Sequence, residues 1–412
     1  MRACPMHDLA NPDIYLGYTY HSIFAQLRNN SPVSWQEDPR TGIGYWAITK
    51  REHIDFVARN PKLFSSAARS ALYDEFDDNL MAFMRSMVIN MDPPEHSRIR
   101  RIVRKAFTPS AIELLEPRLT EICSAIVSSV IGKGRCEFVK EVACQLPLKA
   151  LSELLGIPDE HRPELFYCAE RMFANEDPDI TGEGMTGEQA YFSVLQYARK
   201  FAEKQATMQR TPLVNMLLSG VEKDEGVDLD EFSAFFLMLF VAGNVTTRSA
   251  IANGMRLFIE HPDQYKKLQD YPHLIHQAVE EILRFETPVI QHRRTATCDV
   301  MVGECQIRKG DKVVMFFLSA NHDEDIFMSS NYFDIERINS SEHRSFGSGE
   351  HICIGASLAR LEMVTIFREI IKKINDPRQI GEAIKLRSNM FNSLKELHIE
   401  FDLVDSPAMS NT

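Results

Sequence analysis

The chain has 412 residues, 58 acidic against 46 basic, for a formal charge of −12, and it is 44 % hydrophobic and 25 % charged. This is the balance of a globular chain long enough to bury a large core. It argues against a nucleic-acid partner, because phosphate binding needs a basic face. Eight cysteines (Cys4, Cys123, Cys136, Cys144, Cys168, Cys298, Cys305 and Cys353) occur without a C-x-x-C pair, which speaks against a zinc ribbon or a disulfide framework.

In chain order, PVSW and YWAIT flank the polar turn QEDPRTGIG and read as a hairpin within residues 30 to 50. From about 97 to 260 the pattern turns helical. LPLKALSELLGIP places Leu146, Leu148, Leu151, Leu154 and Leu155 at helical spacing before Gly156 and Pro158 stop the run. The longest predicted helix runs from Asp230 to His261, about 45 Å long, and is apolar nearly all round in its first half, so it should cross the interior. Its apolar part, about a dozen residues, is too short for a bilayer, and the opening MRACPMHDLANPDIY lacks the regions of a signal peptide. A cytoplasmic protein without a membrane span is therefore expected. After residue 294, DVMVGECQIRKGDKVVMFF holds two short alternating runs around Lys309, Gly310 and Asp311, and LRSNMFNSLKELHIEF closes the chain with a last β piece. With no linker, low-complexity tract or repeat, residues 1–412 read as one domain, mainly α with small β-sheets (α+β). The sheets should come from about 1–60 and 290–400, and the helices from about 65–285 and 355–375.

The stretch FGSGEHICIG, residues 346 to 355, sets Cys353 among glycines just before the helical pattern ASLARLEMVTIFREIIKKI. Cys353 could be a buried core thiol, half of a zinc site with His351, or a nucleophile; no further zinc ligands and no base stand nearby. Gly347, Gly349 and Gly355 allow tight turns and close approach to a flat ligand. A helix N-terminus facing the sulfur stabilises a thiolate and tunes a metal bound to it.

Those ten residues resemble the haem-binding loop of the cytochrome P450 family, with Phe346, Gly349, His351, Cys353 and Gly355 in its pattern. Further family marks follow in order through almost the whole chain. The resemblance implies a triangular helical prism holding haem b (iron protoporphyrin IX) between the long central helix and the helix after the cysteine loop, with Cys353 as iron ligand. Glu281 and Arg284 of EEILR would be a structural pair that supports the loop with a third residue from the segment before it. His96 and Arg100 of MDPPEHSRIRR, Arg294 of HRRTATCD and His343 of SEHRSF match positions that hold the haem propionates, since a carboxylate in a partly dry site needs Arg or His. Arg293 is the weaker claimant.

VAGNVTT, in the middle of the long helix, resembles the family's oxygen-binding kink. There Ala242 and Gly243 would leave room for dioxygen, and Thr246, followed by Thr247, would orient a proton-delivering water. A helical threonine can equally bond back to the carbonyl four residues earlier. Val245 departs from the family, which usually has an acid there to relay protons. Water with Thr246, or Asn244, would have to substitute, or the chemistry would favour carbon–carbon cleavage.

The run SRIRRIVRK, with Arg98, Arg100, Arg101, Arg104 and Lys105, is either a solvated helix face or a docking face for an acidic ferredoxin on the cysteine side, near Arg344 and Arg360. No flavin or nicotinamide fingerprint accompanies it, so electrons should come from ferredoxin and ferredoxin reductase. The segments SALYDEFDDNLMAFMRSM, LFYCAERMFANEDPD, TPVIQHRR and SNMFNSL suit a lipophilic substrate. Several segments resemble bacterial steroid and terpenoid oxidisers, so the expectation is a monooxygenase that uses O2 on a polycyclic isoprenoid, steroid or diterpenoid. The rival readings are a fatty-acid hydroxylase or peroxide-using enzyme of the same fold, and a non-catalytic haem sensor or carrier.

Overall fold

The structure, a computed structural model, describes residues 7–173, 177–181, 184–205, 211–221 and 227–404. Cys4 and the Ala174–Glu176 part of the expected pocket segment lie outside them. Helices dominate and the sheets are small, as the sequence pattern requires.

The central helix, Leu229–Glu260, begins at a capping box in which Asp228 accepts from the Glu231 amide at 2.7 Å and Glu231 accepts from the Asp228 amide at 3.0 Å. It contains an 18-residue window apolar enough to cross a membrane, longer than the dozen residues read from the sequence. Protein buries 72 % of that window, as befits a core helix. It packs against the helix Gln145–Leu155, which stops at Gly156 in the left-handed conformation. It also packs on Ile275–Phe285 and on Ala356–Lys373, the helix that follows the cysteine loop.

A five-stranded sheet runs in the order Val33–Gln36, Tyr45–Ile48, Lys312–Phe316, Gln291–Ala296, Phe64–Ser65. The expected hairpin is present, with Val33 opposite Ile48 and Gln36 opposite Tyr45. The stretch read as two β runs holds three strands. Val300–Val302 and Cys305–Ile307 pair with each other, while Lys312–Phe316 joins the larger sheet, parallel to Tyr45–Ile48. All five residues of Lys312–Phe316 are buried, so an alternation of apolar and polar residues could not mark it. Two helices, Thr19–Asn30 and Arg51–Arg59, fall in the N-terminal stretch read as β. The strand Arg135–Glu137 falls within the helical stretch and pairs with His398–Leu403.

Candidate active site

The cysteine loop is fixed by its own backbone. The Cys353 amide donates to the Phe346 carbonyl at 2.8 Å, and the Gly347 amide donates to that of Arg344 at 2.8 Å. Gly349 has φ +71°, and a Cβ there would stand 2.2 Å from the Ala58 carbonyl oxygen, so only glycine lets the loop lie against the helix Arg51–Arg59. Cys353 is exposed, unlike the thiols of Cys123, Cys136, Cys144 and Cys168, which are buried in the core. Desolvation by the surrounding protein pushes its thiol pKa up, while the Gly355 amide and the charges of Arg100 and Arg360 pull it back towards the thiolate. Gly355 itself is not left-handed, and a Cβ there would lie 4.0 Å from the sulfur.

Beside the loop is a cluster of buried cationic and imidazole groups. The helix Glu95–Val103 supplies His96, buried, and Arg100, which donates to the Ile352 carbonyl. The strand Gln291–Ala296 supplies Arg294, also buried, whose Nη1 donates to the Arg293 carbonyl at 2.7 Å. Among the described residues Arg294 makes no ion pair, whereas Arg293 is held by Glu75 at 2.7 Å. The His96 ring lies 4.1 Å from that of His351, and His351 Nε2 is 3.3 Å from Ser66 Oγ. Burial, then Arg100 and Arg294, lowers His96 to about 4. Burial, then Arg294, lowers His351 to about 2, and burial lowers Arg294 to about 10, opposed by Asp92. Among the described residues neither Arg100 nor Arg294 makes an ion pair, and His96 Nδ1 has no hydrogen-bond partner, the nearest carboxylate being Glu350 at 4.0 Å.

His343, expected in this cluster, points elsewhere. Its Nδ1 accepts from the Ser345 amide at 3.1 Å, and its Nε2 faces Glu280 at 3.3 Å. Glu280 also holds Arg360 at 2.5 and 2.9 Å, and the Arg360 guanidinium lies 4.5 Å from the centre of the Phe346 ring. His351 stands where His343 was expected. The sequence signal was its position two residues before the cysteine, but spacing alone does not give the direction of an imidazole. Arg344 and Arg360 are bound to Asp55 and Glu280, so neither offers a free charge.

Glu281 and Arg284 are fully buried and joined at 2.7 and 2.8 Å, and Arg337 is the third member, donating to Glu281 at 3.1 Å. Arg284 also donates to the carbonyls of Asn321 and Ser330, both at 2.9 Å, which ties the helix Ile275–Phe285 to the segment before the cysteine loop.

On the central helix Ala242 is exposed and Thr246, one turn on, is partly so, although most of the helix is buried. Thr246 Oγ1 donates to the Ala242 carbonyl at 2.6 Å. The helix runs through this stretch without an interruption in its assignment. A Cβ at Gly243 would lie 3.0 Å from Leu151 Cδ1, so the residue also eases the approach of two helices. Thr247 is buried, and Val245 packs with Leu386 and Phe391 in an apolar cluster that Ile180, Val289 and Met390 complete.

The family model for cytochrome P450 matches residues 273–375, which hold the Glu281 network and the cysteine loop. A steroid C26-monooxygenase of Rhodococcus jostii is 36 % identical over 405 residues, 96 % of this chain and 84 % of its own. The chain belongs to the cytochrome P450 family. It is a P450 monooxygenase, and a linalool 8-monooxygenase of Pseudomonas putida is 29 % identical over 95 % of this chain and 98 % of its own. A Mycobacterium marinum cytochrome P450 solved in complex with pseudoionone superposes with a TM-score of 0.89 at 30 % identity, over 97 % of this chain and 100 % of that one.

P450s carry haem iron, and the residues of this P450 fit that group. An accessible cysteine lies in a loop that Gly349 lets pack against its neighbour, and buried Arg294, without an ion pair among the described residues, together with Arg100 and a His96 nitrogen that lacks a hydrogen bond, suits a macrocycle that bears carboxylates.

Proposed function

We propose that this P450 is a ferredoxin-dependent haem-thiolate enzyme that hydroxylates, or oxidises in successive steps, a lipophilic polycyclic isoprenoid of the steroid or diterpenoid class. The likeness over 96 % of the chain to a steroid C26-monooxygenase carries the substrate class. Linalool and pseudoionone, named for two other relatives, are also branched isoprenoid skeletons. The apolar cluster of Val245, Val289, Met390 and Phe391, which adjoins Thr246 in sequence, supports a hydrocarbon substrate.

In this reading Cys353 ligates the iron of haem b, and His96, Arg100, Arg294 and His351 hold its propionates. Phe346, Gly347 and Gly355 shape the loop. Bound haem supplies the centre where dioxygen is activated, with the anionic sulfur favouring O–O cleavage. Ala242 keeps the facing wall shallow. Thr246 spends its proton on the Ala242 carbonyl, which leaves its oxygen free to accept from a water and hold it for proton delivery. Val245 cannot relay a proton, so water held by Thr246 has that task.

Electron supply is assigned to an acidic ferredoxin and its reductase. Arg98 pairs with Glu231 and Arg100 is drawn to the Ile352 carbonyl, which leaves Arg101, Arg104 and Lys105 exposed and without an ion pair among the described residues. Through Arg100 their helix is joined to the cysteine loop, where Ile352 is 49 % exposed, so a basic rim borders an apolar spot close to the sulfur.

The test is optical titration of the ferric holoenzyme with steroids, diterpenoid acids and straight-chain fatty acids. A saturable shift from low to high spin with one polycyclic class is expected. A shift with fatty acids alone, or with none of the three, overturns the substrate assignment.

A further inference from the structure

A cavity of about 360 Å³ lies where the start of the helix Thr19–Asn30 meets the ends of the central helix and of Ile275–Phe285. None of the residues that line it belongs to the cysteine loop, to the cationic cluster beside that loop or to the apolar cluster around Val245. Its volume is at the small end of the roughly 300–1,000 Å³ typical of sites that take small molecules.

One wall is polar and balanced in charge. Arg256, buried, donates through Nη1 to the two oxygens of Glu260 at 2.6 and 2.7 Å and through Nη2 to Glu286. Glu286, also buried, accepts a second bond from Asn392 Nδ2 at 2.5 Å. Lys385, with Nζ 4.3 Å from the centre of the Tyr18 ring, is the second cation beside these two carboxylates.

The opposite wall is aromatic and lacks hydrogen-bond partners. The His21 ring lies 4.3 Å from that of Tyr20 and meets His322 edge-on at 4.6 Å. Burial lowers His21 to about 4, so its ring is neutral, with one N–H and one bare nitrogen, and it makes no hydrogen bond among the described residues. His322 Nε2 donates to the Phe285 carbonyl at 3.0 Å, which leaves Nδ1 as a buried acceptor without a partner. The Tyr18 hydroxyl also makes no hydrogen bond among the described residues, and Tyr18 is 50 % exposed at the edge of the cavity.

We propose that this cavity is a second small-molecule site, separate from the one assigned to the substrate, and that it takes a flat, uncharged aromatic alcohol of the phenol class. The ion pairs explain how three elements are held together, but they leave two neighbouring imidazoles unsatisfied. Charge balance disfavours an ion: an anion would meet Glu260 and Glu286, a cation would meet Arg256 and Lys385, and neither would find an unpaired counter-charge. The rings of Tyr18, His21 and Phe285 give an aromatic ligand faces and edges to pack on. A hydroxyl supplies what these walls lack, because it can donate to an imidazole nitrogen and accept from the Tyr18 hydroxyl.

The experiment uses haem-loaded enzyme saturated with clotrimazole, which occupies the iron and the space over it and is too bulky for this cavity. Binding of 4-fluorophenol is followed by fluorine NMR. Saturable binding is expected, with fluorobenzene, 4-fluorobenzoate and 4-fluorobenzylamine weaker by about tenfold or more, since each lacks the hydroxyl or carries a charge. His21→Phe keeps a ring and removes its nitrogens, and Asn331→Trp sets a bulky side chain at an exposed residue of the cavity lining. Both variants should bind 4-fluorophenol about tenfold more weakly, while the thermal midpoint and the affinity for clotrimazole stay at wild type. Absence of saturable binding, or displacement of 4-fluorophenol by clotrimazole, overturns the site. Wild-type affinity in both variants overturns its location, and equal or tighter binding of fluorobenzene, the benzoate or the amine overturns the ligand class.

Discussion

Replacing Glu281 with Gln keeps the shape of the side chain but removes the charge at the centre of the Arg284 and Arg337 network. In the structure Glu281 receives two hydrogen bonds from Arg284 at 2.7 and 2.8 Å, one from Arg337 at 3.1 Å and one from the Asp334 amide at 3.1 Å. The amide in Glu281→Gln would turn an N–H towards a guanidinium and leave Arg284, fully buried, without an anion. Removing one partner of a buried ion pair costs about 3–5 kcal/mol, a large share of a total stability of roughly 5–15 kcal/mol. The assay is urea unfolding of the holoenzyme, followed in parallel by far-UV circular dichroism and by the haem absorbance. Haem release should come at lower urea than in wild type, because the same network holds the segment before the cysteine loop. A loss below about 1 kcal/mol, the range of exposed pairs, would refute the reasoning.

Gly349→Ala should load little haem, because its Cβ would lie 2.2 Å from the Ala58 carbonyl oxygen and its φ of +71° would cost about 1–2 kcal/mol besides; haem content per chain measures this. Arg294→Met should release haem to apomyoglobin about tenfold faster or more, while His343→Ala should stay near wild type, since His343 faces Glu280 rather than the cationic cluster. Val245→Glu should lower stability by several kcal/mol, roughly the cost of an unpaired buried carboxylate among Leu386 and Phe391; a thermal midpoint equal to wild type would contradict the packing described. Glu362 is buried with one oxygen unpartnered, and burial raises its pKa from 4.5 to about 8. With the folded pKa above the unfolded one, the stability present below about 4.5 is lost as pH rises to about 8, up to about 3 kcal/mol of it by pH 7. Glu362→Gln should flatten that slope in urea midpoints measured across this range.

The sequence by itself determined what local order can carry. The central helix was legible to within a residue at each end, because its apolar run and its acidic start are contiguous. The cysteine loop was legible because its glycines, Cys353 and the helix behind it lie within one short stretch, where backbone geometry does most of the positioning. The Glu281–Arg284 pair was legible through the family resemblance of EEILR, and its burial came only with the fold. Tertiary structure alone decided which charges meet. Arg344 and Arg360 are neutralised by Asp55 and Glu280, residues remote in sequence, and His351 rather than His343 joins His96 and Arg294, because the direction of each side chain depends on the partner packed against it. Gly243 also serves helix packing because Leu151 lies across from it. Val245 reads in sequence as a missing acid, and the fold makes it one wall of an apolar cluster with Ile180, Val289, Leu386, Met390 and Phe391. Such residues converge only when several distant segments are buried together, and no periodicity along the chain encodes that convergence.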